Sequence, residues 1–129
     1  VAAVRRLAGR RLIIGASTHD RAEADHAVRQ GADYCGVGTI FTSETKEREP
    51  AGLTYLQTFL QRHPDVPHLA IGGITPDNTP LLADAGCRGV AVCAAVCGAR
   101  DPAAACAAIL DALARPAATQ TPPAASQTP

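Results

Sequence analysis

The residues best suited to chemistry lie in one stretch, Gly36-Val37-Gly38-Thr39-Ile40-Phe41-Thr42-Ser43-Glu44-Thr45-Lys46. It reads as a buried strand running into a polar loop of small hydroxyls that ends on a lysine. Ser43 and Thr45 each offer a hydroxyl donor, and the Lys46 ammonium offers three donors and a full charge. Donors without a balancing apolar surface suit an anionic oxygen cluster such as phosphate or pyrophosphate. Gly36 and Gly38 carry no side chain, so a ligand or a neighbouring backbone can approach closely there. Taken alone, the loop also reads as an ordinary surface connection with a solvated lysine.

Three other places supply comparable groups: Ser17-Thr18-His19, Gly72-Gly73, and Cys93-Ala94. The elements that must position them follow from hydrophobic spacing. Val1, Val4 and Leu7 recur at helical spacing and Gly9 stops them, which predicts a helix over 1–8. Leu12 to Ala16 reads as a short apolar strand delivering Ser17, Thr18 and His19 at its carboxyl end. Thr18 or Asp20 can cap a helix over about 21–30, with Ala24, Ala27 and Val28 inward and Gly31 as its stop. A second strand spans Tyr34 to Ile40. Residues 47–52 are charged and breaker-rich and continue the loop. Leu53, Leu56, Phe59 and Leu60 form a helical stripe ending before Pro64. His68 to Ile71 is the third strand and empties into Gly72-Gly73-Ile74-Thr75. Pro76-Asp77-Asn78 opens a helix with Leu81 and Leu82, closed by Gly86. The fourth strand, Gly89 to Ala94, leads to a loop and then to Asp101-Pro102, an N-cap and first-position pair. The last helix runs to about Ala114, with Ile109, Ala112 and Leu113 inward.

The order is therefore βαβαβαβα, with strands apolar enough to be covered on both faces. Right-handed crossovers put every strand's carboxyl end on one side of the sheet. All four polar clusters fall there, where parallel α/β proteins bind ligands. Their convergence favours the phosphate reading over the plain surface loop. Residues 1–115 form the expected domain. Residues 116–129 are Pro, Ala, Thr, Gln and Ser without periodicity, and are expected to be a disordered tail.

Composition sets outer bounds. The chain has 129 residues, 47% hydrophobic but only 3% aromatic, so its core must be aliphatic. Twelve basic and twelve acidic residues balance to zero, with no basic run, which argues against a nucleic-acid or anionic-membrane surface. No apolar run approaches the length of a membrane span, and no charged-then-apolar leader opens the chain. There are five cysteines, Cys35, Cys87, Cys93, Cys97 and Cys106, none in C-x-x-C spacing. Cys35 and Cys93 fall in apolar strand-like runs, where cysteine behaves as a small hydrophobe. A reduced, cytoplasmic protein is expected. The chain lacks methionine and begins at Val1 in an apparent mid-helix, so a fragment, a processed product or an incomplete reading frame is expected.

Together, Ile14-Gly15-Ala16-Ser17-Thr18-His19, Gly31-Ala32-Asp33-Tyr34-Cys35-Gly36-Val37-Gly38-Thr39-Ile40-Phe41, Ser43-Glu44-Thr45-Lys46, Ala70-Ile71-Gly72-Gly73-Ile74 and Gly89-Val90-Ala91-Val92 resemble thiamine phosphate synthase. The resemblance covers residues 1 to about 114, in the family's order and at family-like spacing. It implies the second half of a (β/α)8 TIM barrel, that is, four βα units. It also implies a transferase of thiamine biosynthesis that joins hydroxymethylpyrimidine diphosphate to thiazole phosphate, releasing pyrophosphate with the help of Mg²⁺. On this resemblance Ser17 and Lys46 serve catalysis and contact the pyrimidine diphosphate. Ser43, Glu44 and Thr45 surround the thiazole phosphate, completed by Gly73 and the backbone at Cys93 and Ala94. Lysine and hydroxyls suit the negative charge that builds on departing pyrophosphate, and main-chain N–H groups near residues 93–95 can cradle a phosphate.

The sequence departs from the family's pattern at Thr39 or Thr42, where proline is common, and at Ala94, where a hydroxyl is common. The family's Mg²⁺-binding aspartates and its Gln/Arg/Lys diphosphate segment belong to the first half and have no counterpart here. Asp20, Glu23, Asp25, Asp33 and Asp77 read as caps, turns or solvated faces, so no metal ligand is assigned. His19 resembles a working histidine of the related thiazole tautomerase, but the Ser43–Lys46 loop resembles the synthase, which makes His19 structural. His26 and His63 are expected to be solvated and His68 an edge residue. The partners expected are small phosphorylated substrates. Because a four-stranded sheet leaves two unpaired edges and half a barrel core, self-association or pairing with a missing N-terminal half is expected too.

Overall fold

The computed structural model describes residues 1–42 and 50–115. The Ser43, Glu44, Thr45 and Lys46 assignments and the expected tail over 116–129 lie outside the described residues. Among the described residues six helices and four strands follow one another as α1 (Ala2–Ala8), β1 (Gly15–Thr18), α2 (Arg21–Arg29), β2 (Tyr34–Gly38), α3 (Gly52–Arg62), β3 (His68–Ile71), α4 (Thr79–Asp84), β4 (Val90–Ala91), α5 (Ala94–Cys97) and α6 (Pro102–Ala114). The strands form one parallel sheet in the order β1-β2-β3-β4. The fold is α/β, as the alternating pattern requires.

Strand alternation divides the side chains between two faces. Cys35, Val37 and Ala70 point to the helical side and are fully buried against Ala24 and Ala27 of α2, Tyr55, Leu56 and Phe59 of α3, and Leu82 of α4. Ile40, Ile74 and Cys87 complete this core. The opposite face carries Gly15, Ser17, Tyr34, Gly36, Leu69, Ile71 and Ala91 around a cavity of about 250 Å³. No helix among the described residues covers it, and Tyr34, Leu69 and Ile71 stay 36%, 39% and 45% exposed. Strands apolar on both sides are thus covered on one side only.

Several boundaries differ from the sequence expectation. The first strand begins at Gly15 rather than Leu12, because its ladder with β2 starts at the Gly15–Tyr34 pair. Leu12 and Ile13 remain 57% and 82% exposed. Ser17 and Thr18 consequently lie inside the strand instead of beyond it. The fourth strand is only Val90–Ala91, since its single neighbour β3 ends at Ile71. Cys93 leaves the strand and becomes the exposed residue that opens α5, a short helix in place of the expected loop. Leu81 is half exposed while Leu82 turns inward. Helix α1 buries none of its residues, and its Val4 and Leu7 face outward.

What holds α1 is Arg5. Its guanidinium donates to the carbonyls of Gly9, Leu12 and Gly31 and pairs with the Asp33 carboxylate. Asp33 also accepts the Ile14 N–H at 2.6 Å, while its own N–H donates to the Ile14 carbonyl at 2.7 Å. These bonds hold the Asp33 carboxyl below its ordinary value, the Ile14 N–H contributing most and Arg5 next. Caps formed as their sequence signals require. Asp20 accepts the Glu23 N–H at 2.9 Å, and Asp101 accepts the Ala104 N–H at 2.9 Å ahead of Pro102. Ile109, Ala112 and Leu113 of α6 are buried, as their spacing indicates.

Candidate functional site

The carboxyl ends of the strands gather Ser17, Gly38, the Gly72-Gly73 turn and the start of α5 at one side of the sheet. Ser17 stands opposite Gly36 in the β1–β2 register, exposed on the helix-free face. The two glycines of β2 do different jobs. A side chain on Gly38 would collide with the Ile71 carbonyl, so close strand packing demands glycine there. At Gly36 a Cβ would meet only ordinary contacts, the nearest being Ser17 Cα at 3.8 Å. Its effect is instead to leave open space beside the Ser17 hydroxyl.

Gly72 and Gly73 have φ angles of +102° and +61°, which disfavour any other residue. A Cβ on Gly73 would run into the carbonyl oxygens of Phe41 and Thr42. The turn is thus pressed against the start of the segment that leads to Ser43. Phe41 N–H donates to the Gly72 carbonyl at 3.1 Å, and Ala51 N–H donates to the Thr39 carbonyl at 2.7 Å, pinning the base of that loop. Asn78 locks the turn from the other side. Its amide accepts the Thr75 N–H and donates to the Gly73 carbonyl, both at 2.8 Å, while Thr79 Oγ1 donates to the Thr75 carbonyl at 2.6 Å. Sequence reasoning treated Asn78 only as part of a helix opening. The Thr75-x-x-Asn78 spacing, able to close a side-chain-to-backbone turn, was the available signal.

A second supporting network was not read from the sequence. The Tyr55 hydroxyl donates to Thr18 Oγ1 at 2.7 Å, and Thr18 Oγ1 donates to the Gly36 carbonyl at 3.0 Å. Thr18 is 1% exposed and Tyr55 8%. Burial pushes the Tyr55 phenol up to about 12, so it remains a donor at any physiological pH. These bonds tie the first turn of α3 to the end of β1 and the middle of β2, on either side of Ser17. No sequence signal pointed to the pair, because a thirty-seven-residue separation leaves no local pattern.

Cys93 and Ala94 are exposed at the entry to α5, whose leading N–H groups have no carbonyl one turn earlier to bond. His19 does not face the strand ends as a free base. Its N–H and its Nδ1 both engage the Glu23 carboxylate, at 2.8 and 2.9 Å. These bonds hold Glu23 below its ordinary value. His63 is not solvated as expected: Nε2 lies 2.9 Å from Asp25, which also receives Arg62. Arg62 first and His63 next keep the Asp25 carboxyl low. His68 leaves Nε2 buried without a partner among the described residues, and His26 bonds Gln30 at the surface.

Among the described residues no three His, Cys, Asp or Glu side chains converge in a way that could hold a metal ion. Asp20 caps α2, Glu23 holds His19, Asp25 pairs with Arg62, and Asp33 ties Arg5 to Ile14. No helix among the described residues is long and apolar enough to cross a membrane.

These features define a parallel α/β protein with a glycine turn and the exposed Ser17 hydroxyl at the carboxyl side of its sheet. Residues 1–96 match the family model described as thiamine monophosphate synthase. The chain is 44% identical over 110 residues to a thiamine-phosphate synthase of Synechococcus sp. (strain WH7803), covering 84% of this chain and 31% of that protein. It is 46% identical over 107 residues to a thiamine-phosphate synthase of Chloroflexus aurantiacus, covering 81% and 49%. A solved thiamine phosphate pyrophosphorylase from Pyrococcus furiosus superposes with a TM-score of 0.76 at 34% identity, over 88% of this chain and 54% of that one. The chain belongs to the thiamine monophosphate synthase family. It spans less than half the length of these two curated relatives.

Proposed function

We propose that the chain supplies four βα units of a (β/α)8 TIM barrel, the second half, in a thiamine phosphate synthase. The reaction is transfer of the hydroxymethylpyrimidine group from its diphosphate to thiazole phosphate, releasing pyrophosphate. The observation that carries this reading is the meeting, on one side of a parallel sheet, of exposed Ser17, the Gly72-Gly73 turn and the start of α5. Backbone with no side chain at Gly73 and only a methyl group at Ala94 suits a phosphate held by main-chain N–H groups. Cys93 and Ala94 lend backbone to it, and Ser43, Glu44 and Thr45 complete the thiazole-phosphate pocket. Ser17 and Lys46 take the pyrimidine diphosphate and stabilise the charge on the departing pyrophosphate.

Mg²⁺ supplies charge neutralisation for the diphosphate in this family reading. Among the described residues Asp20, Glu23, Asp25 and Asp33 are committed to structural bonds and no cluster of His, Cys, Asp or Glu could hold the ion. The glutamate held by His19 favours a structural histidine and weighs against a tautomerase-like role. Five unpaired thiols suit a reducing cytoplasm.

Calorimetry with thiazole phosphate, with and without Mg²⁺, tests the proposal. Metal-independent binding weakened at least tenfold by Ser43→Ala, and less by Lys46→Ala, is the expected result. A folded chain that takes up no ligand would overturn it.

A further inference from the structure

Two adjacent peptides of the glycine turn have their carbonyls occupied and their N–H groups left over. The Gly72 carbonyl accepts the Phe41 N–H at 3.1 Å, and the Gly73 carbonyl accepts the Asn78 side-chain amide at 2.8 Å. Both peptides are trans, so each N–H points opposite its own carbonyl. Holding the Gly72 carbonyl therefore aims the Gly73 N–H, and holding the Gly73 carbonyl aims the Ile74 N–H. Among the described residues neither N–H has an acceptor. Ile74 is 4% exposed, and a buried main-chain donor is seldom left without a partner. Two such donors in succession, on backbone that carries no side chain at Gly73, suit an anionic oxygen.

The Asn78 amide can act in one orientation only. Its Oδ1 accepts the Thr75 N–H while Nδ2 donates to Gly73, so turning it over would set donor against donor and oxygen against oxygen. The Asn78 N–H in turn donates to Thr75 Oγ1 at 3.3 Å. Buried Thr79 donates to the Thr75 carbonyl through its N–H at 3.0 Å and its hydroxyl at 2.6 Å. The lock is thus seated on the start of α4. Gly73 needs one, because without a side chain its backbone rotates more freely than any other residue's. A rotated Gly73–Ile74 peptide would present its carbonyl oxygen where the N–H had been, and an oxygen there repels an anion. We propose that Asn78 is a positioning residue of the phosphate site. It keeps the Gly73–Ile74 peptide turned so that the Ile74 N–H, alongside that of Gly73, is offered to a phosphate oxygen. The inference rests on the phosphate reading above and adds to it a residue that acts through the backbone it holds.

Amide-resolved NMR titration of the full 129-residue chain with thiazole phosphate is the test. In the parent chain the Gly73 and Ile74 amide signals should shift with the ligand. Asn78→Ala removes both side-chain bonds without adding charge. It should weaken binding at least about tenfold and abolish the Ile74 shift. Leu82→Val, a packing change at a buried position of the same helix, should lower stability yet leave affinity within about twofold. Unchanged binding in Asn78→Ala, or an equal loss in Leu82→Val, would overturn the inference. Should Asn78→Ala not fold, the parent chain decides. A ligand that depends on the lock must also tighten it, so exchange of the Asn78 side-chain amide protons should slow at saturation. Exchange that stays the same would overturn the inference as well. A folded parent that binds no thiazole phosphate would sink the phosphate reading, and the lock is then read in the free chain. There Asn78→Ala must displace the Gly73 and Ile74 amide signals further than Leu82→Val does, and signals that stay in place would refute it.

Discussion

Removal of one buried hydroxyl tests whether the Tyr55–Thr18–Gly36 chain frames the end of β1. Thr18→Val keeps the shape but strands both the Tyr55 hydroxyl, which donated at 2.7 Å, and the Gly36 carbonyl, which accepted at 3.0 Å. Leaving buried polar groups without partners costs about 1–3 kcal/mol. Tyr55→Phe removes only the outer link, and Thr18 still donates to Gly36, so its cost should be nearer 0.5–1.5 kcal/mol. In the double variant the stranded phenol is gone. Its cost should therefore fall below the sum of the singles, with a coupling of about 1 kcal/mol. Thr18→Ser keeps the hydroxyl and should restore most of the loss. Urea unfolding reads these differences directly. A thermal midpoint should drop by roughly 4–8 °C per kcal/mol for a domain of this size. Strict additivity, or Thr18→Val as stable as the parent, would refute the network. The phenol gives an independent signature: in a Tyr34→Phe background, tyrosinate absorbance from Tyr55 should not develop until about pH 12. Because its acid is weaker folded than unfolded, stability should decline above the ordinary value of 10 and be lost through about 12.

Other outcomes follow from the same geometry. Asp25 and Asp33 are stronger acids folded than unfolded, so they stabilise the fold above the ordinary aspartate value of 3.8 and cease to as pH falls below it. Asp33→Asn should flatten the acid limb of a stability-against-pH curve; an unchanged limb would discount the Arg5–Asp33–Ile14 clamp. Gly73→Ala places a methyl group against the Phe41 and Thr42 carbonyls at a φ of +61°, and should cost more than about 1 kcal/mol in denaturant unfolding. Thiol labelling under native conditions should modify Cys93, Cys97 and Cys106 promptly and spare buried Cys35 and Cys87, which burial also makes weaker acids.

Much of this arrangement was legible because the signals are local. Alternating apolar runs, Gly31, Gly86 and the Asp101-Pro102 pair marked elements that occur where the pattern put them. What was misread depends on neighbours. Leu12 and Ile13 carry strand-like side chains, yet a strand exists only where another runs beside it, and β2 begins opposite Gly15. Cys93 looked like strand interior for the same reason, although β3 has already ended. At the site, Ser17, Gly73 and the residue 93–94 corner announced themselves as small residues after apolar runs. Tyr55, Asn78 and Arg5 did not, since their roles consist of hydrogen bonds to groups far along the chain or to backbone. The division of labour between Gly36 and Gly38 is likewise invisible until the Ile71 carbonyl is in place.

The neighbour-to-neighbour order of the strands has a consequence for how the molecule comes apart. Among the described residues each strand pairs only with its predecessor and successor, so this part of the sheet behaves as a short one-dimensional array. In backbone pairing the β4 end adds a ladder of just two residue pairs, the rest of its anchorage being side-chain packing of α6 through Ile109, Ala112 and Leu113. It is the natural place for fraying to begin, and the glycine turn after β3 is the boundary at which such fraying would stop.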